Sequence, residues 1–306
     1  MLVELPSNMG RLVNLHCLDV TYTWLEEMPL EMGKLRNLQN LSISFVGKDS
    51  GSNIRELGEL RNLFGTFCIS NLKNVDCTKD ATKVNLKEKK NLSDLELEWG
   101  WHHETDNSEN ERNVLEQLRP HTNLESLSIH RYRVLSLSLY KFINVLPNSI
   151  GNLKHLRYLK LNGTKIKGLP DSVCSLYNLQ TLLLRNYYNL KELPTNMGRL
   201  VNLRHLDIRE TCLIGMPINM GKLKSLQNLS AFYVGKGKHS GTNIKELGKL
   251  PHLSRSLCIS NLENVYLTKD VEEVNLKDKK GLLELKLEWG RVHENYDSKH
   301  ERDVLE

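Results

Sequence analysis

Three consecutive stretches of this sequence repeat one pattern of leucines: LKHLRYLKLNGTKIKGLPDSVCS (153–175), LYNLQTLLLRNYYNLKELPTNMGR (176–199) and LVNLRHLDIRETCLIGMPINMGK (200–222). Each begins L-x-x-L-x-x-L-x-L, or the same pattern ending in isoleucine, and the starts lie 23 and 24 residues apart. Within the first stretch, Leu159 and Leu161 are two residues apart and therefore point to the same face of a short strand. One such turn of chain cannot bury its own leucines, whereas stacked neighbours can.

A period of roughly 20–29 residues with this spacing is typical of leucine-rich repeats. The sequence therefore predicts an α/β fold, a leucine-rich-repeat solenoid (horseshoe) with a parallel β-sheet on the concave side and short helical or irregular segments on the convex side. Asp171–Ser175 is predicted to be one such helical or 3-10 turn. Leucine occupies 57 of 306 positions, which is enough to build the core although aromatic residues make up only 6%. Further copies begin at or near Leu12, Leu35, Leu60, Leu92, Leu124, Leu223, Leu250 and Leu282.

A longer duplication overlies the short repeat. Residues 2–46 match 190–234, and residues 51–116 match 241–306. The likeness is close, as LPSNMGRLVNL and LPTNMGRLVNL show. One block of about 115 residues therefore occurs twice, with a unique insert between the copies.

We predict two arrays from this duplication. The first spans residues 1–130 and is truncated at its N-terminus; the second spans 131–306, is truncated at its C-terminus, and within it 189–306 duplicates 1–118. At the junction, strand-like segments begin at Leu124 and Tyr132, only 8 residues apart. A complete turn needs roughly 20 residues or more, so a defect or lost coil is expected around 124–138.

Composition and motifs exclude several classes of function. No stretch approaches about 18 uninterrupted apolar residues, so no membrane span is predicted. The N-terminus lacks the features of a secretory signal, which favours the cytoplasm. The formal net charge of +5 is not gathered into a basic face with interleaved aromatics, as nucleic-acid binding would require. Without a GxSxG elbow or a phosphate loop, we expect no enzyme activity and no cofactor. No metal is expected, because His102 and His103 lack ligand spacing.

The unit LPNSIGNLKHLRYLKLNGTKIKGLPDSVCSLYNLQTLLLRNYYNLKELPTNMGRLVNLRHLDI (146–208) resembles the leucine-rich-repeat region of plant disease-resistance proteins, in the class with a coiled coil and a nucleotide-binding switch domain ahead of the repeats. The block ISNLENV…DVEEVNLKDKKGLLELKLEWG (259–290) is similar to the segment that follows in that class. The resemblance implies repeats that bind a partner and restrain the switch domain, in receptors that sense pathogen effectors inside the cell. These 306 residues contain neither the phosphate loop nor the coiled coil of that class.

The candidate binding surface is the concave sheet, built from the strand positions that are not core leucines. The predicted partner contacts are Cys17, Asp19, Thr21, Tyr158, Lys160, Asn162, Thr181, Arg185, His205, Asp207, Arg209, Asn228 and Phe232. The same register adds Asn40, Ser42, Ser44, Asp94, Glu96, Glu98, Leu183, Ser230, Glu284, Lys286 and Glu288. An ordinary solvated face is the alternative for any one of them.

Two further groups have structural interpretations. Lysines are predicted at the exposed end of a short amphipathic helix in each copy, at Lys87, Lys89, Lys90, Lys277, Lys279 and Lys280. Three tryptophans that follow strands, Trp99, Trp101 and Trp289, are interpreted as core or edge fillers.

The sequence favours a non-enzymatic protein-recognition module of an intracellular plant immune receptor. Its concave face would contact a pathogen effector, a guarded host protein or the switch domain of a receptor, with no nucleic-acid partner. Two alternatives stay open: a general intracellular leucine-rich-repeat scaffold or adaptor, and a non-functional receptor fragment.

Overall fold

The computed structural model describes residues 2–48, 53–75, 78–99, 108–130, 146–162, 168–236, 243–265 and 268–290. The chain divides into two compact units, Met1–Lys165 and Ile166–Glu306. The first copy of the duplicated block lies in the first unit and the second copy in the second. The copies can therefore be compared locally, strand by strand.

Short parallel strands define the first unit. Among its described residues the strands are β1 (Cys17–Leu18), β2 (Asn40–Leu41), β3 (Ile43–Phe45), β4 (Gly65–Ser70), β5 (Leu92–Glu98), β6 (Ser126–His130) and β7 (Tyr158–Lys160). β1 pairs with β2, and β3 to β7 pair in chain order, always in parallel. The helices are α1 (Thr78–Lys83) and α2 (Ser108–Gln117), with 3-10 helices at Met9–Arg11, Met32–Lys34, Ile54–Glu59, Leu72–Asn74, Leu86–Glu88 and Asn148–Asn152.

The second unit follows the same plan. Its described strands are β8 (Thr181–Leu183), β9 (His205–Asp207), β10 (Asn228–Leu229), β11 (Ala231–Tyr233), β12 (Ser254–Ser260) and β13 (Gly281–Glu288). β8, β9 and β10 pair in parallel, and so do β11, β12 and β13. Its helices are α3 (Thr268–Glu272) and the 3-10 helices Asp171–Ser175, Met197–Arg199, Met220–Lys222, Ile244–Lys249, Leu262–Asn264 and Leu276–Asp278. The predicted 3-10 turn at Asp171–Ser175 is confirmed.

The leucines form the core, as their spacing predicts. Leu159 and Leu161 are fully buried, whereas Tyr158 and Lys160 between and beside them are half-buried on the other face. On the helical side, the 3-10 helices of successive coils contact one another, as Met9–Arg11 does with Met32–Lys34. Each coil therefore completes the burial of its neighbour, which is the property that makes a solenoid stable only as an array.

Asparagine side chains join successive coils. The Asn62 amide donates to the Arg36 carbonyl (2.9 Å), and the Asn202 amide donates to the Tyr177 carbonyl (2.8 Å). These partners lie 25 or 26 residues apart in sequence, which is about one coil. The carbonyls lie in turns between regular elements, where a side-chain donor replaces the missing ladder bond. Asn37 makes the same kind of contact, donating to the Val13 carbonyl at 3.0 Å.

The prediction of exposed lysine runs is wrong for one lysine in each copy. Lys89 is only 2% exposed, and its ammonium donates to the carbonyls of Leu57 (2.8 Å) and Leu60 (2.6 Å). Lys279 is also buried and donates to the Leu250 carbonyl (2.9 Å). Leu60 and Leu250 are the C-cap residues of the preceding coil's 3-10 helix, where carbonyls attract a cation. Leu57 lies within that helix, and its carbonyl also accepts from the Leu60 nitrogen. The other four lysines are exposed.

The proposed array boundary at 130/131 stays a prediction, since the arrays were defined by sequence duplication. β6 ends at that boundary and pairs in parallel with β7. The expected strand at Tyr132 and the junction defect lie outside the described residues. Trp99 is buried as a core filler and Trp289 is half-buried, while Trp101, His102 and His103 lie outside the described residues.

Candidate functional site

The candidate site is the side of the strands that faces away from the leucine core, here called the outer strand face. In the second unit, strand pairing aligns Thr181 with His205 and His205 with Asn228. Side chains from three coils therefore form one row, although they are more than 20 residues apart in sequence. Parallel pairing repeats this alignment at every second residue along a strand.

Seven of the predicted contact residues lie in the strands, namely Cys17, Tyr158, Lys160, Thr181, His205, Asp207 and Asn228. Five others follow the ends of strands, namely Asp19, Thr21, Asn162, Arg185 and Arg209. Half-buried positions are Tyr158, Lys160, Asn162, Thr181, His205, Asp207 and Asn228; exposed positions are Cys17, Asp19, Thr21, Arg185 and Arg209. Half-burial is expected of residues that flank one another in a parallel sheet and remain open on one side.

Fixed charge pairs occupy the face of the second unit. Arg209 donates to both carboxylate oxygens of Asp207, at 2.9 Å from Nε and 2.5 Å from Nη2. Partial burial opposes ionisation of Asp207, but the hydrogen bonds from Arg209 hold the pKa of this carboxyl below its usual value. Arg185 forms an ion pair with Glu210 at 3.2 Å. The side chains of Arg185 and Arg209 are 45% and 55% exposed, so both guanidinium groups are accessible to a partner.

A polar contact links two neighbouring coils at the centre of the row. The Asn228 amide nitrogen lies 2.6 Å from Nδ1 of His205. Burial, followed by the charges of Arg255 and Arg204, lowers the pKa of His205. Neutral His205 can accept this hydrogen bond from Asn228 at Nδ1.

The first unit carries a more acidic face. Asp19 accepts hydrogen bonds from the backbone nitrogen (2.9 Å) and hydroxyl (2.8 Å) of Thr21, and these bonds lower its pKa. Farther along, Cys68 on β4 pairs with Glu96 on β5. Ligand-type atoms of Cys68, Glu96 and Glu98 all lie within 4.8 Å of one another. The matched row of the second copy contains Cys258 and Lys286.

The prediction for Phe232 is wrong, and so is that for its counterpart Ser44. Phe232 is 0% exposed and pairs with buried Ile259, so it belongs to the core. The alternation slips by one residue because the strand is interrupted at Ser230, between β10 and β11. The Ser230 hydroxyl accepts from the Ile208 backbone nitrogen (2.8 Å), which replaces a strand–strand bond. Ser44 is buried after the equivalent interruption at Ser42.

Two exposed aromatic residues that follow β1 were not among the predicted partner contacts. Tyr22 is 91% exposed and Trp24 is 68% exposed, and both follow β1. In the second copy the equivalents are Glu210, the partner of Arg185, and Cys212. The available signal was a bulky aromatic at a position where the repeat otherwise carries a polar residue.

Comparisons with known proteins agree with this architecture. The family model described as leucine-rich repeat region matches residues 130–287, and that of the R13L1/DRL21 leucine-rich repeats matches residues 54–153. Among solved structures, the Toll–Spatzle complex of Drosophila has a TM-score of 0.57 at 17% identity, over 94% of this chain and 39% of that chain. This likeness concerns the fold alone, and it confirms the predicted leucine-rich-repeat fold.

Similar curated proteins come from plants. The disease-resistance RPP13-like protein 1 of Arabidopsis thaliana is 57% identical over 162 residues, covering 53% of this chain and 15% of that protein. Another A. thaliana disease-resistance protein is 54% identical over 157 residues, covering 51% and 11%. Disease-resistance protein RGA2 of Solanum bulbocastanum is 41% identical over 108 residues, covering 35% and 11%. The chain thus spans a small part of each of these three relatives.

No helix in the described ranges is long and apolar enough to cross a membrane. The strands pair in parallel and the core consists largely of leucines. The family model described as leucine-rich repeat region matches more than half of the sequence. The chain belongs to the leucine-rich repeat region family.

Proposed function

We propose that this chain is the protein-recognition module of an intracellular plant immune receptor, and that it binds its partner through the outer strand face. The partner is a pathogen effector, a guarded host protein or the nucleotide-binding switch domain of the receptor. The observation that carries the proposal is the 57% identity over 162 residues to a plant disease-resistance protein. The role is binding in the cytoplasm, without catalysis and without nucleic acid.

The geometry of the outer strand face supports a binding role. Ladder hydrogen bonds fix the strand backbone, and a half-exposed ion pair such as Arg209–Asp207 lies above it. A partner therefore meets polar groups on an ordered backbone, which reduces the entropy lost on association. Charged residues arranged in this way contribute mainly to specificity and to the rate of encounter.

Sequence divergence between the two copies also supports the outer strand face as the binding surface. Core leucines recur at matched positions, whereas Cys17 and Thr21 on the first face correspond to His205 and Arg209 on the second. The two faces therefore offer different chemistry on the same backbone plan, which is the property expected of surfaces with separate binding preferences.

A charge-reversal experiment tests the proposal. The 306-residue chain is co-expressed in plant cells with the segment that precedes the repeats in the RPP13-like relative, and co-purification is measured. We expect capture by the wild type and a loss of about tenfold in the double variant R185E/R209E. Partner groups that are attracted to the two arginines would then face glutamates of like charge. A matched double variant on exposed 3-10 helix residues, R199E/K222E, should change capture by less than about twofold.

Equal losses in the two double variants would contradict a role for the outer strand face. Absence of capture by the wild type would exclude the switch domain as partner. The same variants would then be compared for recognition of a candidate effector or host protein in a leaf cell-death assay. A chain that binds neither class and folds as a capped monomer would favour the adaptor alternative.

A further inference from the structure

Leucines on β13 are exposed, although their counterparts in the first copy belong to the core. Leu285 is 43% exposed, whereas its counterpart Leu95 on β5 is 1% exposed. Leu95 lies between Phe67 on β4 and Leu127 on β6. Leu285 pairs with Leu257 on β12, and no strand of the described residues lies on its other side. We call the leucines of this open strand the tail edge: Leu282, Leu283, Leu285 and Leu287.

The coil of β1 is open on the opposite side. In the second copy, Leu200 is fully buried and Leu206 pairs with Leu182 on the preceding strand β8. The counterparts in the first copy are Leu12, which is 50% exposed, and Leu18, which is half-buried. Within the described part of the chain, β1 pairs with β2 alone. We call the apolar residues of this coil the head edge: Leu2, Val3, Leu12 and Leu18.

The chain itself shows what covers each kind of edge. The first copy covers its tail-edge counterpart with β6, and the second copy covers its head-edge counterpart with β8. In both cases the cover is a leucine-rich coil whose strand pairs in parallel, with leucine opposite leucine. An open strand edge with apolar side chains is a ready template for such a strand from another chain.

The two edges are complementary in direction. The tail edge accepts the coil that follows in a stack, and the head edge accepts the coil that precedes. Two tail edges joined by a two-fold axis would either run antiparallel or turn their leucines to opposite faces. A head-to-tail contact keeps both the parallel direction and the common leucine face, and contacts of this kind build open chains or rings.

We propose that the tail edge of one molecule binds the head edge of another molecule of the same chain. β13 and β1 then pair in parallel, as strands of successive coils do within the chain. The proposal goes beyond the proposed function, because it assigns a self-association surface that is separate from the outer strand face.

Backbone hydrogen bonds between coils set the register of this contact. In the first copy, the Glu125 nitrogen donates to the Ser93 carbonyl at 2.8 Å, just before the paired residues of β5 and β6. In the second copy, the Arg204 nitrogen donates to the Gln180 carbonyl at 2.8 Å, just before the paired residues of β8 and β9. The same bond therefore begins both pairs.

The duplication transfers this register to the contact between molecules. Leu283 corresponds to the acceptor of the first bond, and His16 corresponds to the donor of the second. A bond from the His16 nitrogen to the Leu283 carbonyl would place Leu18 opposite Leu285. Both leucines would then be covered, as Leu127 covers Leu95 within the chain.

Sedimentation velocity of the full 306-residue chain tests the proposal. We expect the wild type to form species larger than a dimer as concentration rises, because every head-to-tail complex keeps one free edge of each kind. Leu285→Glu and Leu12→Glu should each raise the concentration for half-association by at least about tenfold, since each would bury a carboxylate against leucines. A wild type that stays monomeric would overturn the proposal.

Mixing the two variants tests the head-to-tail direction. Leu285→Glu keeps its head edge, and Leu12→Glu keeps its tail edge. An equimolar mixture should therefore form a one-to-one dimer that grows no further, whereas each variant alone stays monomeric. A mixture without dimer, or association of either variant alone at the wild-type concentration, would overturn the proposal.

Controls separate the edges from general stickiness and from loss of fold. Ile214→Glu makes the same change at a turn residue that is 56% exposed, and it should alter association by less than about twofold. Circular dichroism of each variant should match the wild type. Leu283→Glu, at a position that is 82% exposed, is a second tail-edge variant with the same expected loss.

Cross-linking checks the register. The predicted pairing places Cys17 of one molecule opposite Glu284 of another, about 4.8 Å apart across parallel strands. In the variant Glu284→Cys, a short bismaleimide should join position 284 to Cys17 between molecules, as mapped by mass spectrometry. Linkage to exposed Cys212 in preference to Cys17 would place the contact elsewhere and overturn the proposal.

These outcomes are distinguishable from failure of the proposed function. R185E/R209E alters the outer strand face and should associate with itself as the wild type does. Leu285→Glu and Leu12→Glu leave Arg185 and Arg209 intact and should still capture the partner in the co-purification experiment.

Discussion

The two copies of the duplicated block share their internal contacts and differ on their outer strand face. In each copy a glutamate of one coil accepts from a glycine nitrogen of the preceding coil, Glu56 from Gly33 (3.0 Å) and Glu246 from Gly221 (2.9 Å). In each copy an asparagine amide donates to a backbone carbonyl, as Asn74 does to Val46 and Asn264 to Val234. Contacts that close one coil onto the next are therefore tightly constrained.

The outer strand face lacks that constraint. The Glu96 and Lys286 positions have the same backbone pairing and opposite charges. A side chain on this face can change without breaking the glutamate–glycine and asparagine–carbonyl contacts that join the coils. The comparison teaches that stacking fixes the interior of a repeat and leaves the face available for recognition.

The largest expected effect on stability comes from adding a Cβ at a glycine that packs closely against backbone in both copies. A Cβ on Gly58 would lie 2.1 Å from the Lys83 carbonyl oxygen, and one on Gly248 would lie 2.0 Å from that of Glu273. Gly58→Ala and Gly248→Ala should each lower the free energy of unfolding by about 3 kcal/mol, because the obstructing atom is backbone. Urea unfolding followed by circular dichroism measures both.

Gly168→Ala is the control, since nothing lies within 4 Å of its Cβ position. It should change the free energy of unfolding by less than about 1 kcal/mol. If alanine were tolerated at Gly58 but not at Gly248, the interiors of the two copies would not be equivalent.

A smaller effect depends on pH and concerns the two buried lysines, Lys89 and Lys279. Burial, followed by the charge of Arg61, lowers the pKa of Lys89 to about 8, whereas in the unfolded chain it stays at its ordinary value of 10.5. Between these values the unfolded state binds more protons, so stability rises with pH across this window. Relative to Lys89→Met, which cannot titrate, wild-type stability should rise by about 2 kcal/mol from pH 7 to 10.5.

The pKa of Lys279 is also lowered by burial, and its ammonium has one carbonyl acceptor where Lys89 has two. The same comparison with Lys279→Met should therefore show the same sign. A difference that falls as pH rises, in either copy, would contradict the burial of these ammonium groups.

The smallest expected effect concerns the turn after the first strand of each copy. Tyr22 and Glu210 occupy the left-handed region, with φ of 55° and 58°. Asparagine tolerates this conformation better than tyrosine does, and Asn186 adopts it at φ 63°. Tyr22→Asn should therefore raise the free energy of unfolding by about 0.5 kcal/mol.

Glu210→Asn provides the comparison for that turn, because it relieves the same strain but removes the ion pair with Arg185. We expect it to gain less than Tyr22→Asn when both are measured by thermal unfolding. An equal gain in the two variants would mean that the Glu210 ion pair adds nothing to stability.

The amino-acid sequence by itself determined the repeating coil, the strand positions of the core leucines and most of the outer strand face. These features follow from local spacing, because residues two apart on a strand share a face wherever the strand lies. Leu159 and Leu161 could be assigned to the core, and Thr181 and His205 to the face, from the pattern alone.

Only the tertiary structure decided the burial of Lys89, the core position of Phe232 and the pairing of carboxylates with their cations. Each depends on an atom of another coil: a carbonyl 29 or 32 residues away for Lys89, and the Ile208 nitrogen for the strand interruption before Phe232. A spacing rule describes one coil at a time, and contacts between coils are set by how neighbouring turns stack.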